Sequence, residues 1–279
     1  MQAGDVAGGV SVDPALAGPV IAGICLAWAA SAAVAVRLAG RLRRGLPAVE
    51  PRPHPAATWS GADVAMIAAV FVGLPIAAAG VLGAKAPLRQ QLLADVATKL
   101  GGTVAGIAVL RSGGASWASV GFAGGRWLDD LRVGLGGLAL VLAPLLGIAA
   151  LLDRIVPYRH PVVDYLQTTR DPLAVALVVL SAVVVAPLAE EFFFRRVLQG
   201  WLESRLPEAD GAAAVGLSAA AFAAAHTGHG LAPAPLFLLG VVLGIVARRT
   251  GSLVPCVILH AAFNAVGVGL ILITPPAGR

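Results

Sequence analysis

The 279-residue chain is 58% hydrophobic and only 13% charged, about half the charge that a soluble domain spends, so too little polar surface exists to cover a globule in water. Its mean hydropathy of +0.86 makes lipid the expected solvent. The net charge of +5 is carried mainly by arginines between apolar runs, with lysine only at Lys85 and Lys99; this pattern biases membrane topology and meets anionic head groups rather than nucleic acid.

In chain order, the apolar runs suited to crossing about 30 Å of hydrocarbon fall near 16–37, 62–84, 92–111, 133–152, 172–194, 211–228, 233–248 and 252–274. The expected fold class is all-α, a polytopic membrane helical bundle of about eight transmembrane helices, because the alternation of a membrane barrel is absent. The N-terminal stretch lacks a basic n-region and carries Asp5 and Asp13, so no cleavable signal peptide is expected. The third run is interrupted by Asp95 and Lys99, whose i, i+4 spacing allows them to pair on one helix face. Cys25 and Cys256 lie inside apolar runs and read as small buried hydrophobes, not a disulfide.

Loop charge sets the expected orientation. The segment RLAGRLRRGLPAVEPRP is the strongest basic cluster, and the same side then receives Arg126, Arg132, Arg196, Arg205 and the Arg248–Arg249 pair. Both termini are therefore expected outside. The Ala-, Gly-, Val- and Arg-rich composition suits a bacterial cytoplasmic membrane. Residues 47–61 read as a linker with Trp59 as an interfacial anchor. The expected organisation is an N-terminal helix with a basic cytoplasmic linker over 1–60, further transmembrane helices over 61–130, and a core over 131–279.

Ionisable side chains inside membrane helices cost about 2.5–3.5 kcal/mol each on insertion scales, and here they gather late in the chain. VVVAPLAEEFFFRRVLQGWLE carries Glu190, Glu191, Arg195 and Arg196. Glu191 and Arg195 have the favourable acid-first i, i+4 order for a pair, whereas Glu190 points about 100° away and is left available. AAAFAAAHTGHG supplies Phe222, His226 and His229, and PCVILHAAFNAVG sets His260 and Asn264 at i, i+4 on one face. Counted from the cytoplasmic ends of their helices at about 1.5 Å per residue, Glu190 lies ~21 Å deep, His226 ~24 Å, His260 ~12 Å and Asn264 ~18 Å. Glu190, His226 and Asn264 are thus expected near one level.

These residues fall into three ordered motifs, E-E-F-F-F-R (Glu190 to Arg195), F-A-A-A-H (Phe222 to His226) and H-A-A-F-N (His260 to Asn264). With the signature EExxxR, FxxxH and HxxxN, the chain resembles the CPBP family of intramembrane proteases, also called type II CAAX prenyl endopeptidases or Abi proteins, over roughly residues 135–274. The resemblance implies a glutamic endopeptidase with no obligatory cofactor. Glu190 would be the base that activates a water, His226 would bind and polarise it, and His260 and Asn264 would donate to the developing oxyanion. Glu191 and Arg195 would hold the first motif, with Phe222 supporting the second. The implied partners are the bilayer and a membrane-associated peptide or protein substrate. A bacterial cell generally lacks protein prenylation, so the family name is not read as the substrate. Other readings stay open: a metal-dependent hydrolase with Glu190, His226 and His260 as ligands, a catalytically inactive scaffold or immunity-type member, or a proton-relay transporter, against which the lack of inverted-repeat hydropathy counts.

Overall fold

The computed structural model describes residues 14–83, 85–122, 124–158, 161–168, 171–206 and 211–273; Asp5 and Asp13 lie outside them. The regular elements of the described residues are all helices, as the apolar runs require: α1 (Pro14–Arg43), α2 (Gly61–Leu82), α3 (Leu88–Ser112), α4 (Trp127–Asp153), the short α5 (Pro161–Thr168), α6 (Pro172–Arg205), α7 (Ala212–Ala224), α8 (Pro233–Thr250) and α9 (Val254–Ile273). Seven of these are long and apolar enough to cross a membrane, and the protein is an integral membrane protein. The exception among the expected spans is the sixth, where α7 is only 13 residues long and stops short of His226. A run of Thr227, Gly228 and Gly230 with two glycines at positive φ ends the helix there, because glycine takes that conformation without Cβ strain.

Large apolar side chains stay exposed along α1 and α2, among them Val36, Val72 and Val81. Such a surface belongs against acyl chains. α1 packs on α4, and α2 packs on α3. α6 is among the best-buried helices and sits between α3, α7 and α9. Phe192 and Val197 on it join Ile67, Leu110 and Leu253 in one core cluster, while Val141, Leu239, Leu243 and Leu259 form a second where α4, α8 and α9 meet.

Without a hydrophobic drive between helices in lipid, close approach relies on small residues. Gly134 on α4 shows this, since a Cβ there would stand 2.8 Å from the Pro255 carbonyl oxygen and 2.9 Å from Cβ of Ile258 on α9. Backbone at that distance cannot swing aside. Gly134→Ala is therefore expected to destabilise the protein by about 1–3 kcal/mol, measured by denaturant unfolding in detergent; an unchanged unfolding midpoint would show that α9 is free to shift.

The segment before α2 is a packed strap rather than a free linker. The Arg52 backbone N–H donates to the Arg249 carbonyl, its guanidinium pairs with Asp130, and Ser252 Oγ donates to the same carboxylate. Trp59 is not an interfacial anchor: it is 5% exposed, and its Nε1–H donates 2.9 Å to the Val197 carbonyl on α6. Ser60 then caps α2 in a reciprocal box with Asp63. At the far end of α3, Asp171 caps α6 and pairs with Arg89, whose hydrogen bond holds the Asp171 carboxyl below its usual range.

Candidate active site

Two π-helical turns, Leu180–Val185 and Phe192–Gln199, flank the α-helical stretch of α6 that carries Glu190 and Glu191. Such wide turns recur at functional sites. They also rise less per residue than an α-helix. The eight π residues beyond Glu191 therefore bring the glutamates nearer the end of α6 than regular helix arithmetic gives. Side-chain distances place Glu190 beside both His226 and His260, although helix counting set His260 well below it.

The two glutamates have separate surroundings. Glu191 is fully buried and both its oxygens are engaged: Oε2 accepts from Arg195 Nε at 3.1 Å, and Oε1 accepts from His260 Nδ1 at 2.9 Å. Arg195 is 1% exposed, donates through Nη1 to Ser218 Oγ on α7 at 3.1 Å, and lies 5.1 Å over the Phe222 ring. Ser218 Oγ in turn donates to the Phe194 carbonyl. Glu191 and Arg195 thus join α6 to α7 and α9. The acid–arginine pair was legible from its i, i+4 spacing; the His260 partner, 69 residues away, was not.

Glu190 keeps a side chain that is 21% exposed, with Oε2 3.9 Å from His226 Nε2 and 3.9 Å from His260 Nε2. These distances exceed a hydrogen bond and suit a bridging water. His226 lies in the turn after α7, where its Nδ1 stands 2.8 Å from the Phe222 carbonyl. A carbonyl only accepts, so Nδ1 carries the proton and Nε2 offers its lone pair toward Glu190. By the same reasoning His260 Nδ1–H donates to Glu191. Its Nε2 then bears a proton only when the ring is an imidazolium, whose charge would face the Glu191 carboxylate.

Asn264 sits on α9, and its Nδ2 donates to the Ala182 carbonyl at 2.9 Å. That leaves the second N–H of the amide uncommitted. Glu190, His226, His260 and Asn264 all line one cavity of about 660 Å³, whose walls are mainly apolar and include Asp95 and Lys99 of α3. Those two pair at 2.6 Å, as their spacing allowed, and Ser181 Oγ on α6 donates to Asp95 Oδ2. Ser181 and Ser218 went unnoticed in the sequence, since a lone serine in an apolar helix has no pattern to mark it.

The metal alternative would use Glu190, His226 and His260 as ligands. Two ligands about 2.0–2.1 Å from one tetrahedral zinc stand ~3.3 Å apart, closer than the 3.9 Å separations of Glu190 from either histidine. Among the described residues no group of three His, Cys, Asp or Glu side chains is spaced to hold a metal ion.

The helical bundle thus brings a carboxylate and two imidazoles together at one cavity wall, the groups a hydrolytic site needs. Residues 172–266, which include all seven motif residues, match the family model described as type II CAAX prenyl endopeptidase, Rce1-like. The match spans about a third of the chain, and over that segment the protein is similar to CAAX-type intramembrane proteases. Comparison with curated proteins and with solved structures finds no match.

Proposed function

We propose that the protein is an intramembrane endopeptidase that hydrolyses a peptide bond of a membrane-associated protein or peptide with a water activated by Glu190. The observation that carries this is the approach of Glu190 Oε2 to two imidazole Nε2 atoms, 3.9 Å from each, at the wall of a mainly apolar cavity. A water between Glu190 and His226 can donate one hydrogen to the carboxylate and the other to the His226 lone pair. Glu190 takes a proton as the water oxygen bonds to the scissile carbonyl carbon. The negative charge moves to the carbonyl oxygen, where His260 as imidazolium and the uncommitted N–H of Asn264 donate to it. Collapse of this intermediate breaks the C–N bond, and the proton held by Glu190 passes to the leaving nitrogen. Glu191 and Arg195 keep His260 oriented, and Phe222 seats both His226 and the Arg195 guanidinium. No step draws on a cofactor.

The same reading takes 131–279 as the protease core, 61–130 as added helices and 1–60 as an amino-terminal helix with its basic segment, in a bacterial cytoplasmic membrane with the N-terminus outside. Reconstituted protein incubated with membrane-tethered peptides in ¹⁸O-water should release fragments whose new C-terminal carboxylate carries one ¹⁸O, read by mass spectrometry, in the presence or absence of chelator. Loss of cleavage on chelation would favour the metal-dependent reading, and no cleavage of any peptide would favour the inactive scaffold. His226→Ala is expected to lower kcat by about 10²–10⁴ without altering the unfolding midpoint, since the imidazole is 29% exposed and bonds only to its own turn.

A further inference from the structure

The motif asparagine does something besides face the cavity. Along the first π-helical turn of α6 the Ala186 N–H donates to the Ser181 carbonyl, five residues back. The next rung of that ladder would run from residue 187 to the Ala182 carbonyl. Residue 187 is proline, which has no N–H to give, so the turn ends with a carbonyl its own helix cannot satisfy. Asn264 Nδ2 donates to that oxygen from α9 at 2.9 Å. The neighbouring residue is held from the other side, by Ser181 Oγ donating at 2.5 Å to Asp95 on α3. Two consecutive residues are therefore tied to two different helices, immediately before the stretch that presents Glu190. Asp95 lies outside the family-matched segment.

We infer that Asn264 is a positioning residue for α6, replacing the donor that Pro187 lacks and so fixing the register at which Glu190 meets His226 and His260. The effect on catalysis rests on the proposed endopeptidase reading; the tie itself does not. A partly buried carbonyl left without a donor at membrane depth is expensive, and a change from π to α register would rotate Glu190 away from both imidazoles.

The test is a four-protein cycle on the full chain: wild type, Asn264→Ala, Pro187→Ala and the double variant. Alanine in place of Pro187 restores a backbone N–H for the freed carbonyl. With Pro187 present, Asn264→Ala should lower the unfolding midpoint in detergent by roughly 3–8 °C, and in the Pro187→Ala background by less than half as much. On the same four proteins in liposomes, the kcat cost of Asn264→Ala should be at least about 3-fold smaller in the Pro187→Ala background than with the native proline, while KM changes little. Equal midpoint losses in the two backgrounds would overturn the tie whatever the activity. A midpoint coupling accompanied by an unchanged kcat cost would overturn the positioning role and leave Asn264 as an oxyanion donor alone. Absence of cleavage by wild type would instead count against the protease reading, with the midpoints still judging the tie.

Discussion

Glu190→Gln is expected to remove peptide-bond cleavage, with kcat reduced by about 10²–10⁴ or more and KM little changed. Glutamine keeps the shape and one hydrogen-bonding oxygen but cannot take a proton from water. The carboxylate is partly open to the cavity and stands 3.9 Å from both imidazoles, so the substitution breaks no hydrogen bond to either. Unfolding in detergent should accordingly stay within about 0.5 kcal/mol of wild type. Turnover retained at the wild-type level would eliminate Glu190 as the base.

Arg195→Met is expected to act on the whole molecule. Glu191 and Arg195 are both completely buried, and removing one member of such a pair leaves an uncompensated charge at a cost of about 3–5 kcal/mol. Methionine fills most of the volume, so the loss is electrostatic more than steric. His260 would then be the remaining partner of Glu191 and would be drawn toward it, away from the substrate oxygen. Denaturant unfolding should report the destabilisation, and cleavage should fall with it. Adding Glu191→Gln should restore part of the stability, because the orphaned charge is gone, without restoring activity. If the double variant were no more stable than Arg195→Met, the buried pair would not be what holds these helices together.

Much of this architecture is legible in the sequence because hydropathy and short-range spacing are local properties. Apolar runs locate the helices, and i, i+4 spacing joins Glu191 to Arg195 and Asp95 to Lys99. Properties that depend on partners far along the chain are hidden. Arg196 read as a cytoplasmic topology signal, yet it is 4% exposed and its guanidinium is spent on the Ser119 carbonyl. Hydropathy counts a charge but not the acceptor waiting for it. Trp59 read as an interface residue because aromatic belts are common, whereas a carbonyl on α6 claims its indole. Pro187 was visible, but the wide turns on either side of it change helix rise without altering composition, so the depth counted for Glu190 along α6 was too large. The three motifs survive these errors because each is contained within five or six residues.

The strap through Arg52 and Trp59 separates the segment that resembles a known family from the unit that stands up. The segment matched by the family model begins at residue 172, yet α6 borrows a hydrogen bond from Trp59 and another group from Asp95, both more than seventy residues upstream. The recognisable module and the mechanical unit therefore have different borders. Excising 172–266 as a minimal protein would cut α6 loose from both attachments, and grafting a different set of leading helices onto it would succeed only if an indole-like donor and an acid arrived at the same places.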